Sequence, residues 1–222
     1  MIDPKIESAI EGALGAFSAY NSFDATQLTE EFYEVFSSDE DFLTKVEELD
    51  EVFDSNPAIE ELREVFFDML MINFFSADVK KLEDDYLETP EWEAIEEQTL
   101  DRGTELLNLL LYLNECEDED IEPGLEDYLK EFLLVDEDEF QDEYRIYEPV
   151  IANQILIESP ASEISKVARS LPEDSELKEL FYPVMCFFQN TEPDDAAIEK
   201  IAASAINPSF DMAVLDILVE FL

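Results

Sequence analysis

Five dipeptides constrain this chain before anything else does: Asp3-Pro4, Asn56-Pro57, Thr89-Pro90, Ser159-Pro160 and Asn207-Pro208. Proline has a fixed φ and no N–H, which suits the first turn of a helix, where N–H groups lack intrahelical partners anyway. The Asp, Asn, Thr or Ser before it caps the same turn. Only four glycines interrupt the 222 residues. Between these marks the apolar spacing is helical: Leu62, Phe66, Met69, Leu70, Asn73 and Phe74 share one face, as do Leu125, Leu129, Phe132 and Leu133. The pattern predicts helices over 3–20, 26–37, 39–53, 57–76, 78–87, 90–115, 124–135, 137–147, 149–158, 160–170, 173–189, 194–206 and 208–222. The fold class is therefore all-α, an irregular multi-helix bundle or solenoid-like stack of about 10–13 helices, with no fixed repeat. The run Pro149-Val-Ile-Ala-Asn-Gln-Ile-Leu-Ile has some strand character, but helical neighbours and missing hairpin signals favour a helix.

Three stretches read as core. Residues 57–76 contain VFFDMLMINFF, apolar on nearly every face, and the far half of 90–115 is leucine-rich all round, from Leu106 to Leu113. The last helix, 208–222, ends in AVLDILVEFL with a narrow polar stripe of Asp211, Asp216 and Glu220. An apolar chain end must be covered, which makes this helix a candidate homodimer seam. The segment 116–124, acidic and carrying Pro123 and Gly124, is the best linker. It divides the chain into an N-terminal helical half, 1–115, and a C-terminal half, 116–222, unless the two form one continuous domain.

Charge is the second constraint. There are 59 Asp and Glu against 12 Lys and Arg and no His, a formal charge of −47. The hydrophobic fraction of 46%, with 17 Phe and 8 Tyr, is that of a folded protein rather than an acidic tail. The excess runs through the whole chain and peaks between 116 and 158, where 16 acids face 2 bases. Self-repulsion on that scale opposes the compact state, so salt should stabilise the fold. The N-terminus carries acids where an export signal needs bases, and no apolar run reaches the ~18 residues of a membrane span. Two cysteines fit a reducing compartment, and a cytoplasmic location is expected.

These residues exclude more chemistry than they support. Without His the commonest general base is missing, and so are the Glu-x-x-His pairs of di-iron bundles and the usual zinc sets. Asp118 to Gly124 faintly resembles a calcium loop, but counting from Asp118 puts Pro123 at the glycine position and Leu129 at the closing glutamate position. Cys116 lies between Glu115 and Glu117, which oppose the thiolate. No enzyme, catalytic residue, metal or cofactor is expected. Direct nucleic-acid binding is excluded by sign, because that binding rests on cations meeting phosphates.

The converse is the reading that remains. Carboxylates three or four residues apart on a helix lie ~5–6 Å from one another, and duplex DNA carries one charge per ~1.7 Å of axis. A rigid acidic helical body could occupy the groove of a basic, nucleic-acid-binding protein such as a nuclease, restriction, defence or repair protein. The candidate partner-binding residues are the densest acids, Glu117, Asp118, Glu119, Asp120 and Glu122, then Asp136, Glu137, Asp138, Glu139, Asp142 and Glu143. On a helix over 137–147, Asp136, Glu139 and Glu143 form a row, with Phe140, Tyr144 and Tyr147 as aromatic anchors or core. Glu173, Asp174 and Glu176 serve as background against which that row is compared. The composition is similar to that of phage-encoded DNA mimics as a class, a likeness of charge that no motif carries. Two other readings compete: an immunity or antitoxin protein neutralising a basic toxin, and a helical protein whose acidity adapts it to high salt.

Overall fold

Three of the five proline marks open an α-helix at the proline itself, Pro57 opens a 3-10 helix, and Pro160 precedes a helix by one residue. The computed structural model describes residues 2–76, 86, 88–132, 134–136, 139–140 and 145–222. In chain order the helices are α1 (Pro4–Ser18), α2 (Ala25–Ser37), α3 (Phe42–Ser55), α4 (Arg63–Ser76), α5 (Pro90–Thr99), α6 (Leu106–Glu119), α7 (Leu125–Asp127), α8 (Glu148–Ala152), α9 (Ala161–Ser170), α10 (Phe181–Gln189), α11 (Asp195–Ser204) and α12 (Pro208–Glu220). The 3-10 segments are Pro57–Leu62 and Gln154–Glu158, and a π-helical turn, Tyr128–Phe132, follows α7. The fold is all-α, with one short antiparallel ladder between β1 (Leu134–Asp136) and β2 (Glu139–Phe140).

The bundle is closed by its ends. Helix α1 lies along α12, and α12 also packs on α10. Small residues on α1 allow the close approach: Ala9 and Ala13 are fully buried, and a Cβ on Gly12 would stand 3.0 Å from Asp216 Oδ2. Lys5 ties the same corner, donating to Phe221 O at 2.8 Å and pairing with Glu117 at 2.7 Å. A cation beside the last carbonyls of α12 also suits that helix's dipole. Phe210, Met212, Ala213, Val214, Leu215, Ile217, Leu218 and Phe221 are all buried within the chain. The uncovered apolar face that suggested a dimer seam over 208–222 is therefore covered by α1 and α10. Buried residues from both halves of the sequence join one hydrophobic core.

Helices α2 and α3 form an antiparallel hairpin held on α4 by three rings. Phe32 lies 4.5 Å from Phe66 and 5.3 Å from Phe53, and Phe53 lies 5.7 Å from Phe66. Asp24 and Asp41 cap the two helices by accepting backbone N–H groups of their first turns. With inward faces locked this way, the outward faces of α2 and α3 are fixed in space.

Several expected helices are redrawn. The span 90–115 is two helices, because Gly103 turns left-handed at φ 83° and the chain bends at 100–105. The buried Asp68 carboxylate accepts both the N–H and the hydroxyl of Thr104, and Thr104 Oγ1 in turn accepts Leu106 N–H, so α6 starts afresh. The span 57–76 divides at Arg63 into a 3-10 helix and α4. The span 173–189 is helical only from Phe181; beforehand, turns close from Ser175 N–H to Pro172 O and from Lys178 N–H to Ser175 O. The span 149–158 is the end of α8 followed by a 3-10 helix. The span 124–135 ends in the π turn and β1, and the helix expected over 137–147 gives way to β2 at Glu139–Phe140. No proline or capping signal starts a helix there, and the Leu134-Val135 pair suits extended backbone. The helix expected over 78–87 lies almost wholly outside the described residues.

Candidate protein-binding surfaces

The predicted acids at the end of α6 are exposed, but two of them have structural tasks. Glu117 is paired with Lys5. Asp120 stands past the end of α6 in the left-handed region, φ 55°, and its N–H bonds to Glu117 O while Ile121 N–H reaches back to Cys116 O at 2.9 Å. That is the hydrogen-bond pattern in which glycine usually serves. Asp118, Glu119 and Glu122 project into solvent. They crowd the negative end of the α6 dipole, where carboxylates are disfavoured. Cys116 beneath them is buried, and its thiol is pushed up by desolvation and by Glu115, Asp127 and Glu119.

The second predicted group does not form the expected row. Asp136 and Glu139 lie on facing strands as cross-strand partners, not on one helix face. Glu137, Asp138, Asp142 and Glu143 lie outside the described residues, as does Tyr144. Tyr147 is 5% exposed, bonded to Tyr128 and Glu105 and packed against Tyr128, so it belongs to the core and is no anchor for a partner.

What contiguous acid density did not reveal is the hairpin of α2 and α3. A groove of about 360 Å³ runs between these helices, walled by Glu31 and Glu34 on one side and Glu48 and Glu51 on the other. Val35 and Val52 line it as well, an apolar strip between the carboxylate walls. Glu30, Glu47 and Asp54 stand exposed on the same two helices. Within each wall the glutamates are three residues apart, ~5–6 Å by helix geometry. The axes of packed helices lie ~8–10 Å apart. The sequence signal was present in the i, i+3 spacing on the polar side of two amphipathic helices, but it was outweighed by denser runs elsewhere.

Other carboxylates are neutralised inside the fold. Arg102 holds Asp50 with both terminal nitrogens at 3.0 and 3.1 Å and Glu64 through Nε at 3.1 Å, over the ring of Phe67. Arg63 reaches Asp50, Asp54 and Glu60 at 2.7–2.8 Å, over Phe53. Asp68, fully buried, is pushed well above the usual carboxylate range by desolvation, against the opposing bonds from Thr104. Among the described residues no three acidic or thiol groups converge as a metal site, and no helix is long and apolar enough to cross a membrane.

The background acids Glu173, Asp174 and Glu176 prove to line a cleft of about 610 Å³, beside Asp211. No family model, curated protein or solved structure matches the chain.

Proposed function

We propose that the protein is a non-enzymatic inhibitor that binds a basic protein surface built for nucleic acid and blocks it. The observation that carries this reading is the α2–α3 groove, where two pairs of glutamates on packed helices flank an apolar strip. Two rows of phosphates flank the grooves of a duplex in the same manner, the grooves being ~6 and ~12 Å wide. Preorganisation supports it further: the rows stand on capped helices anchored by the Phe32–Phe53–Phe66 cluster, so little ordering opposes binding. The surrounding field, including Asp118, Glu119 and Glu122, would steer a basic partner and make association sensitive to salt. The partner class is a nuclease, restriction, defence or repair protein.

The test is capture from cell lysate with the purified protein as bait, eluted by rising salt, with and without excess duplex DNA. The reading expects nucleic-acid-binding proteins that DNA displaces. It further expects that Glu31→Lys, Glu34→Lys, Glu48→Lys and Glu51→Lys together weaken the captured partner about 100-fold or more, with Asp118→Lys, Glu119→Lys and Glu122→Lys costing about tenfold. Capture of one small basic protein that DNA does not displace would replace it with a toxin-neutralising function. Folding that needs molar salt, with nothing captured, would leave the charge to the solvent.

A further inference from the structure

We propose that the groove between α2 and α3 takes one arginine side chain of the basic partner, with the Ser38 hydroxyl as a recognition group for its guanidinium. This deepens the proposed function and rests on it for the source of the arginine. The glutamates alone single out no ligand, since exposed acids occur along the whole chain. Ser38 does. It lines the groove, and its Oγ is closed off from solvent without a hydrogen-bond partner among the described residues. Buried hydroxyls are satisfied as a rule, because water given up without a replacement bond is a loss. The neighbouring hydroxyls follow that rule: Ser37 Oγ donates to Tyr33 O at 2.7 Å, and Thr44 Oγ1 to Asp41 Oδ2 at 3.1 Å.

The hairpin fixes what surrounds the orphaned hydroxyl. Asn56 Nδ2 stands 3.5 Å from Glu31 at one end, so the antiparallel register sets Ser38 and Glu48 at the other. Between them Glu34 and Glu51 flank Val35 and Val52. From Glu31 to Ser38 the helix rises about 10 Å, and an inserted helix would itself be ~10–12 Å across. The groove, about 360 Å³, is thus a slot for a side chain and not a bed for a helix. No base lines it; Lys45 of α3 stands outside its walls and donates to Phe36 O at 3.1 Å. Ser38 as a whole is half-buried, and its Oγ gives up no bond by turning, so a change of χ1 rotamer carries it into the groove. There it accepts one N–H of a guanidinium whose other N–H groups meet the Glu48 carboxylate, with the stem along Val35 and Val52. A guanidinium suits this end better than an ammonium. Its planar fork reaches hydroxyl and carboxylate at once, and its weaker hydration makes entry less costly. A bare divalent ion is disfavoured, because no three acidic or thiol groups converge among the described residues.

The experiment titrates the isotope-labelled protein with the N-acetyl methylamides of arginine, lysine and citrulline at about 0.15 M NaCl. NMR follows backbone amides and the χ1 couplings of Ser38. Arginine should shift the Ser38 and Glu48 amides saturably and change the Ser38 rotamer. Lysine should bind severalfold more weakly, and citrulline, which keeps the shape without the charge, should not saturate. Ser38→Ala should weaken arginine about tenfold, the loss of one charge-assisted bond, yet leave the free protein at least as stable in urea, because the hydroxyl it removes has no partner. Glu48→Gln should weaken both cations, and Glu122→Gln neither. Equal binding of citrulline, arginine affinity unchanged in Ser38→Ala, or a stability loss in Ser38→Ala would overturn the slot. Failure here is distinguishable from failure of the inhibitor reading. Lysate capture that DNA displaces, with the arginine probe unbound, removes the slot alone. The probe bound as described, with no nucleic-acid-binding protein captured, keeps the slot and removes the inhibitor.

Discussion

Replacing Asp211 by Asn should stabilise the protein at neutral pH and flatten its pH dependence. The carboxyl rises from 3.8 to about 6 on folding, first because burial removes its water. Below pH ~3.8 both folded and unfolded chains hold this proton. Between pH ~4 and ~6 the folded chain keeps it and the unfolded chain has released it, so stability falls as pH rises through that window. At 1.36 kcal/mol per pH unit, the shift amounts to about 3 kcal/mol of stability lost by pH 7. For a chain of this size that is about 6–12 °C in Tm. Asn keeps an oxygen for the N–H groups of Ile206 and Asn207 and carries no charge, so it escapes the loss. The assay is thermal unfolding at pH 4 and pH 7 in 1 M NaCl, where the ~3 Å screening length suppresses repulsion among surface acids. Asp68 and Asp216 also titrate high through burial, so the parent will retain some slope of its own. The decisive quantity is the difference between Asp211→Asn and the parent: near zero at pH 4, large and stabilising at pH 7. A difference that does not change with pH would refute the reasoning, because the ionised carboxylate would then cost the fold nothing.

Two further perturbations test the backbone. Gly103→Ala places a Cβ 2.6 Å from Asp68 Oδ1 at φ 83°, whereas Gly15→Ala on α1 meets nothing within 4 Å. The first should cost about 2–4 kcal/mol and the second gain about 0.5–1 kcal/mol in urea unfolding; similar midpoints would mean that the 100–105 bend is not held as described. Asp120→Gly should gain about 1 kcal/mol, by removing a side chain from left-handed backbone and a carboxylate from the negative end of α6, and Asp120→Ala should not.

Much of the helical frame was legible because its signals are local. A proline preceded by Asp, Thr or Asn marked the starts of α1, α5 and α12, and apolar periodicity marked α4 and α6 as core. The errors have non-local causes. Leucines at 106–113 hid the bend at Gly103, which depends on Asp68 thirty-six residues away accepting Thr104 N–H. The acid row over 136–143 assumed a helix that nothing in the local sequence caps. The α2–α3 groove was missed for a related reason, since density along the chain is a poor guide to density in space. Glu31, Glu34, Glu48 and Glu51 meet only when α2 folds back on α3. The Asp211 cleft joins residues from three distant parts of the chain.

The placement of the cations explains why so large a charge excess survives in a well-packed fold. Lys5 clamps α1 to the end of α12, Arg102 joins α3 to α4 across the 100–105 bend, and Arg63 gathers Asp50, Asp54 and Glu60. Arg169 holds Ala205 O beside the start of α12, and Lys178 holds Leu171 O in the turns before α10. Each is fixed where elements meet, on carbonyls and acids that the fold itself brings together. The walls of the α2–α3 groove contain no base at all. Glu31 accepts from Gln27 Nε2 at 2.7 Å and Asn56 Nδ2 at 3.5 Å, whereas a lysine in place of Glu34, Glu48 or Glu51 would relieve repulsion without breaking a hydrogen bond or ion pair among the described residues. Three of the four carboxylates are therefore not required there by the architecture, which leaves them available to the basic partner that the proposed function calls for.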